Sequence, residues 1–220
     1  MTIRWLLFRI LNTVCRSDIT HVLWRGRSVQ AIDPLDTNCE CRWLTEADLE
    51  QLRHDTDFRI TPSFIEDYRR YGFLGVIACV DEQPAGLLFL VADRVAARHN
   101  SAGSVFSGIA VELPPGVFFL FKVFVKEAVR GRRINAAMLR FAETQVQHPP
   151  MEAIITTTDW TNQSFLKSVE SLGFQRCAMA SEFVIRGKHF HRLPRPFDPQ
   201  GGQPLPANSA REAVRFVVDA

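Results

Sequence analysis

Cysteine is sparse and falls in no paired pattern. The five residues, Cys15, Cys39, Cys41, Cys79 and Cys177, are an odd number and form no CxxC motif. That excludes a disulfide framework and a paired zinc site, and points to free thiols in a reducing cytosol. Cys41 and Cys79 lie in apolar stretches and read as core residues. An excess of one charge is also lacking: 26 basic residues stand against 24 acidic ones, so there is no chain-wide footprint for nucleic acid, and any basic function must be local. The N-terminus lacks a long hydrophobic run. Its sequence MTIRWLLFRILNTVCR is unbroken only over residues 5–8, far short of the roughly 20 residues a bilayer span requires. No small-residue cleavage site follows, so the segment reads neither as a transmembrane helix nor as a signal peptide. There is no internal repeat.

What is present fits one core with extensions. The boundaries read as an N-terminal extension over 1–38, a folded domain over 39–193 and a Pro/Gly-rich tail over 194–220. Wound as a helix, the first 16 residues gather Arg9, Asn12, Thr13 and Arg16 on one side and Ile3, Leu7, Ile10, Leu11 and Val14 on the other. This helix is expected to pack on the core or on a partner subunit, with an interfacial membrane helix as the alternative. The tail carries Pro194, Pro196, Pro199, Pro204 and Pro206 with Gly201-Gly202, a stretch expected to form no packed element. A short docked helix or strand can follow over 210–220.

Within the domain, a short strand around Cys41 enters a helix at Thr45, where Asp48 completes a capping box and Leu44 staples to Leu49. A second helix starts at Thr61-Pro62 and stops at Gly72. Residues 75–80 and 85–92 form a hairpin around Asp81-Glu82-Gln83-Pro84. An extended run near 105–111 turns at Leu113-Pro114-Pro115-Gly116 into a long apolar strand, VFFLFKVFV. A helix then buries Ile134, Met138, Phe141, Ala137 and Ala142, and 153–158 is a central strand. Asn162 caps a further helix with Phe165, Val169 and Leu172 inward, closed by Gly173. The last hairpin turns at Arg186-Gly187. His189 and His191 share a face of its second strand, but no third ligand is visible, so no metal is expected. Arg25, Arg27, Arg69 and Arg70 read as surface charges.

The strand over 117–125 empties into KEAVRGRRIN and then directly into a helix. Such a junction aims free backbone N–H groups, the positive end of a helix dipole and the side chains of Arg130, Arg132 and Arg133 at one point, which suits a phosphorylated ligand.

The order of elements, together with Val125-Lys126-Glu127-Ala128-Val129-Arg130-Gly131 and the segment 162–174, NQSFLKSVESLGF, resembles the GCN5-related N-acetyltransferase (GNAT) family over roughly 39–193. The resemblance implies an α/β fold: a mixed, mostly antiparallel sheet flanked by helices and splayed between the long fourth strand and the fifth. It implies acetyl-CoA or another acyl-CoA as cosubstrate, no metal, and a small-molecule or protein amine as acceptor. The family's pyrophosphate turn corresponds to Arg130, Gly131, Arg132, Arg133, Ile134 and Asn135. Arg133 and Asn135 stand where two small residues are expected. Main-chain groups of Phe124 and Val125 would bond the pantetheine arm, and Asn162 joins the cofactor-binding set.

Family members often use a tyrosine of the fourth helix to protonate the thiolate; that position is Val169 here, and the two tyrosines are Tyr68 and Tyr71. For the base, Asp159 at the end of the central strand is preferred to Glu127. Asp159 reads equally as a helix cap, and Glu127 as a charge near a helix N-terminus. The reading is thus a cytoplasmic N-acyltransferase; the alternative is a catalytically silent GNAT-like module for ligand sensing or protein interaction. Residues 1–16 offer peripheral membrane contact, and a homodimer is compatible with the pattern.

Overall fold

The computed structural model describes residues 16–27, 38–100, 109–185, 188–198 and 213–218. The expected N-terminal helix, the Arg186-Gly187 turn and most of the Pro/Gly tail lie outside them. In chain order the elements are β1 (Arg16–Gly26), β2 (Cys39–Trp43), α1 (Glu46–Leu52), α2 (Pro62–Tyr71), β3 (Leu74–Val80), β4 (Gln83–Val91), β5 (Arg94–Val95) and α3 (Ala97–Asn100). Then come β6 (Ile109–Glu112), β7 (Val117–Val125), a single 3-10 turn (Glu127–Val129), α4 (Ile134–Gln145), β8 (Ala153–Asp159), α5 (Gln163–Ser171), β9 (Gln175–Ile185), β10 (Lys188–Arg192) and β11 (Arg215–Val218).

Local chemistry sets the boundaries of these elements. Thr45 accepts from the Asp48 N–H at 3.2 Å and donates its own N–H to the Asp48 carboxylate at 2.7 Å, a reciprocal capping box that opens α1. Arg42 forks onto the same carboxylate at 2.6 and 2.7 Å and holds it well below the usual carboxylate range. Thr61 caps α2 through the Phe64 N–H, Pro62 takes the first turn, and Gly72 ends the helix with φ of 61°. The β3–β4 turn places both Asp81 and Glu82 in the left-handed region, the backbone that matches the twist of a two-residue hairpin.

Eight strands form one sheet in the order β10-β9-β1-β8-β7-β4-β3-β2, and β11-β6-β5 form a second. Every pairing is antiparallel except β7 with β8. That parallel pair needs a crossover, which α4 supplies. Side-chain alternation along β7 divides the core in two. Phe118 and Leu120 pack with Ile134, Met138 and Leu166 on the α4/α5 face. Phe119 and Phe121 pack with Leu49 and Phe64 on the α1/α2 face. Each such side chain contributes about 1.5 to 3 kcal/mol when fully buried.

The structure corrects several sequence-based expectations. The eight-stranded sheet crosses the first domain boundary: β1, inside the expected extension, fills the slot between β8 and β9, from Thr20↔Asp159 to Gly26↔Ala153 on one side. At the other end, Phe197 and Val214 of the expected tail are buried and joined by an isolated antiparallel bridge, and β11 pairs with β6 in the second sheet. Arg25 is not a surface charge. Its side chain is buried and ion-paired with Glu143 of α4. On α4, Ala136 and Leu139 join Ile134, Met138 and Ala142 in the buried face, while Phe141 and Ala137 are half-buried. On α5, Leu166 takes the inward place expected for Phe165. Among the described residues, no helix is long and apolar enough to cross a membrane.

Candidate functional site

The β7–β8 ladder runs from Val117↔Ala153 only as far as Leu120↔Thr156. Beyond it the strands part, so the edge of Phe121 to Val125 that would face β8 carries no ladder. The Thr156 hydroxyl donates to the Leu120 carbonyl at 2.8 Å and marks the point of divergence. A groove of about 560 Å³ opens there, walled by Val123, Phe124 and Val125 of β7, by the first turn of α4 and by the outer face of α5.

The turn at the head of the groove is built by backbone geometry. After the 3-10 turn, Gly131 adopts φ of 85° and Arg133 φ of 56°, and α4 begins. Arg133, at the first of the two positions where a small residue is expected, takes the left-handed conformation a glycine would take at no steric cost; for a side chain this costs about 1 to 2 kcal/mol. Its side chain is exposed. Among the described residues no side chain caps α4; the Ala136 N–H donates to the Arg133 carbonyl at 2.9 Å, which leaves the N–H groups of Ile134 and Asn135 for a ligand in the groove they line. Arg130 donates its Nε–H to the Val125 carbonyl at 3.3 Å, which ties the turn to the strand end.

Asn135, at the second expected small position, fills space differently. Its Nδ2 donates to Ser168 Oγ at 3.2 Å and links α4 to α5. Its Oδ1 is buried and has no partner among the described residues.

Of the sequence-predicted cofactor residues, Phe124, Val125, Arg130, Gly131, Arg133, Ile134, Asn135 and Asn162 all line this one groove. Arg132 is exposed and is not part of its wall. Asn162 also caps α5 through the Phe165 N–H at 3.2 Å. The two candidate bases are not in the wall either. Asp159 turns back on its own chain, accepting from the Thr161 N–H at 2.6 Å and from the Thr161 hydroxyl. Glu127 is exposed in the 3-10 turn. Val169, at the tyrosine position, is buried in the core. Tyr68 donates to the Leu44 carbonyl at 2.8 Å, and burial raises its pKa. Tyr71 is held by Arg98 at 3.0 Å.

Sequence reading missed the polar stripe on α5. Ser164, Ser168 and Ser171 all line the groove beside Phe165. Their spacing, i, i+4 and i+7, was the available signal. Among the described residues, no three His, Cys, Asp or Glu side chains come together as a metal site.

No protein-family model matches the chain, and no curated protein matches it in sequence. Among solved structures it is similar to a GNAT-family protein from Novosphingobium aromaticivorans, with a TM-score of 0.48 and 16% identity, covering 76% of this chain and 63% of that one. It is similar to a GCN5-related N-acetyltransferase from Kribbella flavida, with a TM-score of 0.49 and 12% identity, covering 83% and 64%. A GCN5-related N-acetyltransferase-like protein from Streptococcus suis gives 0.48 and 12%, covering 83% and 67%. The chain spans less than two thirds of the length of the first two. Several of the solved structures it resembles are named as GNAT proteins, and its own sheet is mixed, mostly antiparallel and flanked by helices.

Proposed function

We propose that the chain is an acyl-CoA-dependent N-acyltransferase that moves acetyl from acetyl-CoA to a primary amine by direct attack. The observation that carries this reading is the convergence on one groove of the unladdered end of β7, the uncapped first turn of α4 and the serine face of α5. Free amides at the positive end of a twelve-residue helix suit a pyrophosphate, and Arg130 and Arg133 add charge at the same end. The exposed edge of β7 suits the amide-rich pantetheine arm, which pairs with a strand edge as another strand would.

In this reaction a neutral amine attacks the thioester carbonyl, a backbone N–H of the splayed strand holds the oxyanion, and the thiolate leaves. Only deprotonation of the amine and protonation of the sulfur ask for a side chain or water. The serine hydroxyls on α5 stand next to the position where a tyrosine is expected. Free thiols in the described residues and the choice of cosubstrate suit a cytoplasmic protein.

A second reading, a GNAT-like fold kept for ligand sensing or protein interaction, is favoured by the buried Val169. Calorimetry with acetyl-CoA and longer acyl-CoAs, followed by detection of released thiol across a panel of amines, separates the two. The first reading predicts binding with thiol release. Binding without release by any amine would leave the silent module, and failure of every acyl-CoA to bind would remove the cosubstrate.

A further inference from the structure

A second groove, of about 700 Å³, opens on the α2/α3 face of the same strand. Phe121 and Lys122 line it, whereas Val123, Phe124 and Val125 line the first groove. The residues that line the two grooves are therefore consecutive along β7, just past Leu120, where β8 has parted from it.

The backbone explains why a lysine faces inward here. The β4–β7 register shifts between Leu87↔Phe124 and Phe89↔Phe121, so two residues of β7 oppose one of β4. This bulge puts Lys122 at φ of 49° and re-aims its side chain. The Lys122 ammonium donates to the Arg59 carbonyl at 3.1 Å and sits 4.9 Å from the centre of the Phe64 ring. Burial lowers its pKa.

The charges around the groove do not balance. Asp67 is committed, accepting from Arg98 at 2.6 Å and facing His99 Nε2 at 2.9 Å. Arg59, Arg70 and Lys122 line the groove with no carboxylate partner among the described residues, against a single unpartnered carboxylate, Glu66. The N-terminal turn of α2, a ten-residue helix, brings the hydroxyls of Thr61 and Ser63 and the positive end of its dipole to the same wall. A half-buried cation without a counter-ion is unfavourable by itself, and an anion brought in by a ligand would relieve it.

We propose that this second groove holds the acyl acceptor and selects amines that carry an acidic group, a carboxylate or a phosphate, bound by Lys122 with Arg59 and Arg70. The inference rests on the acyl-CoA reading for the identity of the reaction. With the acid at Lys122, an amine a few bonds away reaches the gap beside β7. Transfer forms the N–C bond and breaks the C–S bond; the nitrogen releases one proton and the thiolate takes one up.

Ligand-observed NMR titrations of the full chain without CoA, using glycine against glycinamide, γ-aminobutyrate against its amide, and O-phosphoethanolamine against ethanolamine, test the selection directly. The acidic member of at least one pair is expected to bind about tenfold more tightly than its match, the scale of one charge-assisted hydrogen bond. Which pair discriminates tells carboxylate from phosphate. Lys122→Gln is expected to abolish the preference and leave acetyl-CoA affinity, read by calorimetry, unchanged. Arg70→Gln, at an exposed position, is expected to reduce the preference and serves if Lys122→Gln does not fold. Equal binding within every pair, or a preference that survives both substitutions, would overturn the proposal. Because acid binding is read without cosubstrate, its failure is distinguishable from a failure of acetyl-CoA to bind.

Discussion

Glu143→Ala is expected to destabilise the fold by about 3 kcal/mol, the lower end of the range for breaking a buried ion pair. Arg25 lies on β1 in the middle of the sheet, its side chain 3% exposed, and pairs with Glu143 of α4, whose side chain keeps 22% exposure. Burial already lowers the Arg25 pKa, a sign that its charge is poorly solvated. Removing the carboxylate leaves that charge with less compensation in the same place. Replacing both partners with apolar residues of similar length, Arg25→Met with Glu143→Leu, is expected to return stability to within about 1 kcal/mol of the parent, because the desolvation penalty leaves with the charges. Urea unfolding of the single and double variants measures both. A single-variant loss under about 0.5 kcal/mol, the scatter of an ordinary surface change, would show that Glu143 does not hold Arg25 in the folded chain.

Arg130→Ala is expected to weaken acetyl-CoA binding by about 1.5 to 3 kcal/mol, roughly 10- to 150-fold, the usual scale for hydrogen bonds to a charged group. Arg130 lines the groove at the head of α4 and is tethered to the Val125 carbonyl, so its guanidinium is held where the phosphates of the proposed cosubstrate would lie. Arg132→Ala provides the contrast. Its side chain is exposed and outside the groove wall, so a change within about 0.5 kcal/mol is expected. Calorimetry on both variants decides the matter: equal affinities for Arg130→Ala and the parent would mean that the turn is not the phosphate site.

Much of the fold was legible because capping chemistry is local. Thr45 with Asp48, Thr61-Pro62 with Gly72, and Asn162 with Gly173 each declare a helix end within four residues or mark its close. What was not legible depends on distant partners. β1 reads RSDITHVLWRG, with only Val22, Leu23 and Trp24 as a continuous apolar run. Its inclusion in the sheet rests on pairing with segments more than a hundred residues away, and its Arg25 passes for a surface residue until Glu143 is brought over it.

The site divides along the same line. Strand-turn-helix order brings the backbone-built parts, the end of β7 and the turn at 130–135 apart from Arg132, to one groove. Side-chain direction was not available in the same way. Asp159 stands at the end of β8 as expected, yet its carboxylate is turned back to Thr161. Lys122 looks like one charge in an apolar strand, and only the register shift against β4 reveals that it lines a second groove. At Arg133 the departure from a small residue is absorbed by a left-handed backbone, a conformation the residue type itself argues against.

An acyl-CoA site at the head of α4 and the free edge of β7 is expected to shift the amides that line it, which NMR reads as acetyl-CoA is added. The largest changes are expected at Phe124, Val125 and the amides over 130–136, while those of β10, at the far edge of the sheet, stay still. Saturable binding with shifts concentrated elsewhere, and none at these amides, would contradict a site there.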